Sequence, residues 1–130
     1  MMSFKNKLSA PGVPIWATVF LFIVVVFGFV LGVPALLGIG LMETHTIGWG
    51  GRELGVAVGA VISAILRNPT AYFLIFVIGI FRETSDALEA LAETPPNTAS
   101  VIFIGIFVVI GAASALVSYR AMRAAKGDTR

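Results

Sequence analysis

Charged side chains are absent from positions 8–42, and three later stretches are almost as apolar. A helix rises about 1.5 Å per residue and a bilayer's hydrocarbon core is roughly 30 Å thick, so about 20 apolar residues cross it. The pattern predicts an all-α membrane protein, one domain over residues 1–130, built as a four-transmembrane-helix bundle with spans near 14–32, 49–66, 69–91 and 98–119. Pro14 suits the first turn of the first span, where a missing N–H costs nothing. Residues 34–48 carry Pro34, Gly38 and Gly40 and then turn polar. They predict a break at Pro34 and a short outer cap, helix or hairpin, folded back over the bundle. Arg67-Asn68-Pro69 reads as a tight turn, and 92–97, with two prolines, as a loop. Residues 1–13 read as a polar, basic tail broken at Pro11 and Gly12. The last helix is expected to extend toward Arg120, Arg123 and Lys126 before Gly127.

Lys5 and Lys7 precede the first apolar run as in a secretory signal. That run is much longer than a signal's apolar region of about 7–15 residues, so a retained membrane helix is expected. In a four-span chain, Lys5, Lys7, Arg67, Arg120, Arg123, Lys126 and Arg130 share one side, which the positive-inside rule makes cytoplasmic. Both termini are then cytoplasmic, and the host membrane is expected to be a bacterial inner membrane. Trp16, Tyr72 and Tyr119 fall near the inner interface and Trp49 near the outer one, as an aromatic belt would place them.

Composition narrows the chemistry. With 58% hydrophobic and 12% charged residues the chain is no ordinary soluble domain, and its few basic residues make no nucleic-acid footprint. There is no cysteine and one histidine, His45, which excludes disulfides and thiol redox chemistry and argues against a protein-held metal. Met42 and His45, three residues apart, cannot take opposite faces of a haem. No phosphate loop, nucleophile elbow or HExxH motif is present. The phenylalanines (Phe20, Phe22, Phe27, Phe29; Phe73, Phe76, Phe81; Phe103, Phe107) read as core or lipid-facing packing.

The charges that remain are informative by their depth. Counted from the turn at 67–69, Arg52 lies about 22 Å along the second helix, and Arg82 and Asp86 about 20 and 26 Å along the third. All stop short of the bilayer thickness. Two helices joined by a tight turn are neighbours, so Arg52, Glu53, Arg82, Glu83 and Asp86 are expected to meet in the outer third of the membrane. Arg82 and Asp86 share a helix face that Glu89 and Glu93 continue outward. The expected pairs are Arg52 with Asp86 or Glu83, and Arg82 with Glu53. Such pairs serve equally as a register device, a head-group pocket or a catalytic centre. Glu43, His45 and Trp49 are candidate cap contacts over this cluster. Gly51, Gly55, Gly59 and Ser63 recur every four residues and predict a face for close helix packing.

Pro34 after the first span, GGRELGVAVG opening the second, the Arg67–Pro69 turn and FRETSDAL closing the third together resemble the DoxX-like small four-helix membrane proteins, over roughly residues 14–120. The resemblance implies a four-helix bundle and, for some relatives, association with quinone-linked oxidoreductases; for others no activity is established. It carries the polar cluster over to Arg52, Glu53, Arg82 and Asp86. The chain departs from a redox protein in having no cysteine and no second histidine. The expected function is binding of a lipophilic molecule with a polar head, a quinone or a lipid, with no metal, no other cofactor and no catalytic residue. The alternatives are an accessory subunit packed on a larger membrane protein or on further copies of itself, and a small membrane enzyme with Glu53 or Asp86 as general base.

Overall fold

The structure, a computed structural model, describes residues 8–127; Lys5, Lys7 and Arg130 of the charge count lie outside the described residues. Four helices run α1 Ile15–Leu36, α2 Ile47–Leu66, α3 Pro69–Ala92 and α4 Thr98–Gly127, with no strand among the described residues. α1, α2 and α4 are each long and apolar enough to cross a membrane. α3 matches them in length, but Arg82, Glu83, Asp86 and Glu89 crowd its second half.

The ends of the helices follow local chemistry. Asn68 caps α3, its side-chain oxygen accepting from Thr70 N–H at 2.8 Å, while Pro69 opens the first turn. Arg67 makes the turn by adopting the left-handed conformation, φ 49°. α4 continues through Arg120, Arg123 and Lys126 to Gly127.

The predicted break at Pro34 does not occur. α1 runs through Pro34 to Leu36 and stops at Gly38, φ +77°. There Gly38 N–H bonds to Ala35 C=O and Ile39 N–H to Pro34 C=O, a Schellman ending. Pro34 lies so near the end that little of the helix depends on its missing donor, and the last turn is held by Gly50 of α2 packing on the Leu36 backbone. α2 begins earlier than position 49, because Thr46 caps it by accepting from Trp49 N–H. The cap is therefore 37–46, a run of turns and bends rather than a helix or hairpin.

α1 packs tightly on α2, and α3 on α4; α2 meets α3 less closely, and α1 barely touches α4. The α1–α2 contact is a glycine seam. A methyl group added at Gly28 would stand 2.5 Å from Ala57 Cβ, and one at Gly50 would stand 2.6 Å from the Leu36 nitrogen. The predicted ladder is not that seam: Gly51 and Gly55 are exposed, Gly51 only grazing Leu36, while Gly59 and Ser63 meet α3. At about 100° per residue, a four-residue repeat rotates about 40° per step, so a strict ladder winds off any one contact face. The positions that do face α1, Gly50, Glu53 and Ala57, follow three-then-four spacing.

The end of the bundle at the α2–α3 turn is closed by a segment expected to be a polar, basic tail. Ala10 and Val13 are buried, and Ser9 Oγ donates to Val13 C=O at 2.7 Å and lies 2.7 Å from Thr18 Oγ1. Thr18 reaches Tyr72 Oη at 3.4 Å, and the Arg67 guanidinium donates to Ser9 C=O. Tyr72 is thus fully buried within the bundle, while Trp16 and Tyr119 remain exposed. Outward-facing Val19, Phe22, Val26, Ile78 and Ile106 give the bundle an apolar exterior.

Candidate functional site

The five central charges come together at one level of the bundle. Arg82 Nη1 donates to Glu53 Oε2 at 3.1 Å across the α2–α3 contact, and its Nη2 is paired with Glu83. Arg52 Nη2 donates to Asp86 Oδ1 at 3.0 Å. The two interhelical pairs differ in setting. Arg82 and Glu53 side chains are 10% and 7% exposed, whereas Arg52 is 43% exposed. Glu53 is deep because it lies on the glycine seam, where its Cβ is 3.0 Å from where a Gly32 side chain would begin. A buried ion pair is held by its partner's charge rather than by water, so each of these groups depends on the other.

The cluster forms one wall of a cavity of about 840 Å³ between the C-terminal half of α1 and the N-terminal half of α4. Phe27, Phe103 and Phe107 make its apolar side, in mutual ring contacts with centroids 5.1 to 6.3 Å apart. Glu53, Arg82, Glu83 and Asp86 make the polar side, and Glu89, Glu93 and the 41–45 turns form the rim. A second, small cavity of about 20 Å³ lies beneath Arg82 and Glu83, walled by Phe20, Phe76 and Phe107. The phenylalanines divide accordingly: Phe20, Phe76 and Phe107 pack inside, and Phe22, Phe29 and Phe81 face outward.

The three cap residues all line the cavity. His45 stacks flat on Trp49, ring centroids 4.0 Å apart and planes within 3°. Burial lowers the His45 pKa below its ordinary 6.5, so the neutral ring is favoured. Gly40 lets the loop fold tightly, since a side chain there would strike the His45 carbonyl at 2.5 Å. No group of three His, Asp or Glu side chains has metal-binding geometry among the described residues.

The sequence reading missed the seam and the aromatic wall. Gly28 and Gly32, four apart in the first span, were the signal for the former. The wall had none, because it joins side chains from helices distant in sequence. No family model, no curated protein and no solved structure matches this chain.

Proposed function

We propose that this chain is an integral membrane protein whose outer-half cavity holds a lipophilic molecule with a polar head, a quinone or a lipid, and that it is of the DoxX-like type. In this reading α3 is also a span, the fourth of the bundle, and its charges face the cavity. Both termini are cytoplasmic in a bacterial inner membrane, a placement supported by Arg67, Arg120, Arg123 and Lys126 at one end and the carboxylates at the other.

One observation carries the reading: a single cavity of about 840 Å³ is phenylalanine-walled on one side and lined by an ion-pair cluster on the other. A pocket of this size suits a drug-sized amphiphile, with few polar groups orienting the head. Its position between α1 and α4, which make little contact, offers a route from the lipid.

Native mass spectrometry of the protein released from native-membrane nanodiscs tests this. A retained lipid or quinone is expected, and Ala99→Trp, which fills the cavity from an exposed position, should displace it. Bare protein in every preparation would refute the binding reading. Gly51 and Gly55 face outward with open space beside them at Gly55. That favours, as a second reading, an accessory subunit, and co-release of another membrane protein or of a second copy would select it.

A further inference from the structure

We infer that the connection between α1 and α2, residues 37–46, is a lipid contact. Its apolar side chains lie in the head-group and upper acyl layer of the leaflet at that end of the bundle, and the ion-pair cluster lies beneath them. This placement rests on the chain spanning a membrane, as proposed above, and adds where one boundary of the bilayer falls.

The first observation is exposure. Leu37, Ile39, Leu41, Met42 and Ile47 are each 61% to 69% exposed, on or beside a segment of turns and bends. Single apolar side chains on a surface are ordinary, but five in so short a stretch form a patch that water disfavours. Leu41 and Met42 reach the mouth of the large cavity and still stay exposed, so the bundle does not cover them. The uncharged run of the sequence ends within the same stretch, at Met42.

The second observation is the level at which these residues stand. A Cβ added at Gly32 of α1 would lie 3.0 Å from Glu53 Cβ, and Glu53 is bonded to Arg82 at 3.1 Å. Gly32, Glu53 and Arg82 therefore share one level. At about 1.5 Å per residue, Leu37 stands about 7 Å further along the axis, so the exposed apolar residues lie beyond the charges. The outward side of α3 agrees. Leu88 and Leu91, 62% and 52% exposed, stand about 9 and 13 Å beyond Arg82, while Asp86 and Glu89 at similar height line the cavity instead. A bilayer boundary drawn at the cluster would leave all of these leucines, isoleucines and Met42 in water.

Lipid is the cover that fits this surface. The patch continues the apolar exterior of α1, through Val26, Val30, Val33 and Leu36, and recurs on α3, which is not packed on α1. Apolar positions spread around the bundle in this way match an annulus of acyl chains rather than one flat face for a second copy. Length agrees as well: Ile15 to Leu37 is about 33 Å of helix, just over the roughly 30 Å of hydrocarbon. The backbone limits how deep the connection goes. Turns leave peptide groups unpaired, and irregular backbone facing lipid is not tolerated within the hydrocarbon. The backbone of 37–46 therefore stays among hydrated head groups, and only its side chains reach down.

The test exploits a chain without cysteine, in which an introduced thiol takes a spin label at one site only. Ile39→Cys and Met42→Cys are labelled in phosphatidylcholine vesicles, with Val26→Cys as the deep control and Glu93→Cys as the aqueous one, all exposed positions. Collision rates with oxygen, which concentrates in lipid, and with a nickel chelate, which stays in water, are compared by electron paramagnetic resonance. Oxygen-to-nickel ratios at Ile39 and Met42 are expected to be several-fold above that at Glu93 and below that at Val26, a depth of about 5–10 Å into the head-group and acyl boundary. Ratios at Ile39 and Met42 equal to that at Glu93 would place the connection in water and overturn the assignment. Shielding of both labels from both reagents would mean a protein cover, a second copy included, and overturns it too. A Val26 label open to nickel would overturn the membrane reading itself, whatever the connection does.

Discussion

Removing Arg82 separates the two interhelical ion pairs by their burial. Arg82→Met keeps the aliphatic stem but leaves Glu53, 7% exposed, and its neighbour Glu83 facing each other with no cation between them. Breaking a buried pair on one side costs about 3–5 kcal/mol, mostly the penalty of the stranded charge. Glu53→Gln in the same background removes that charge, and replacing both partners of a buried pair is often nearly neutral. The cycle of Arg82→Met and Glu53→Gln should therefore show a coupling of about 2–4 kcal/mol, allowing for Glu83, which remains. Arg52→Met with Asp86→Asn is the internal control. Arg52 is 43% exposed, so its pair is screened and should couple by at most about 1 kcal/mol. Reversible unfolding in mixed dodecyl sulfate micelles, followed by tryptophan emission, gives all the required free energies. Equal coupling in the two cycles, or the larger value at Arg52 and Asp86, would refute the argument that depth sets the strength of these contacts.

Three further outcomes are expected. Gly28→Leu should destabilise the fold by about 1–3 kcal/mol or more, because even its Cβ would overlap Ala57, whereas Gly55→Leu, with open space around it, should be nearly silent in the same assay. Ser114 and Ser118 are fully buried hydroxyls without a hydrogen-bond partner among the described residues, so each change to Ala should be neutral or stabilising by up to about 1 kcal/mol; a clear loss would reveal a partner for the hydroxyl. His45 has a pKa lowered by burial, so the opened loop takes up a proton before the folded one does. Loop stability should be full above the ordinary value of 6.5 and fall as pH drops below it, seen as loss of the Trp49 stacking signal, and His45→Gln should abolish that dependence.

Much of the bundle was legible from local rules. The turn at Arg67 to Pro69 and the ends of α3 rest on residues within a few positions of one another, so their chemistry is written in sequence order. That Arg52, Glu53, Arg82 and Asp86 share one level followed from helical rise, since two helices leaving one tight turn climb in step, but whether Arg52 takes Asp86 or Glu83 did not. Pro34 and the 51–63 ladder misled for the opposite reason. Whether a proline ends a helix depends on what packs beyond it, here Gly50, and whether a glycine is a seam depends on the helix opposite.

The sequence by itself determined which segments are helical, where the charges lie along them, and that they share one level of the bundle, because these follow from apolar run length and a constant rise per residue. Only the tertiary structure decided that Gly28, Gly50 and Ala57 join α1 to α2, that residues 9–13 seal the end of the bundle at the α2–α3 turn, and that Phe27 and Phe103 stand across a cavity from Arg82. The physical reason is that each of these depends on how helices rotate about their axes and lean on partners distant in sequence. That choice is made by packing among all four helices together, which no local pattern records.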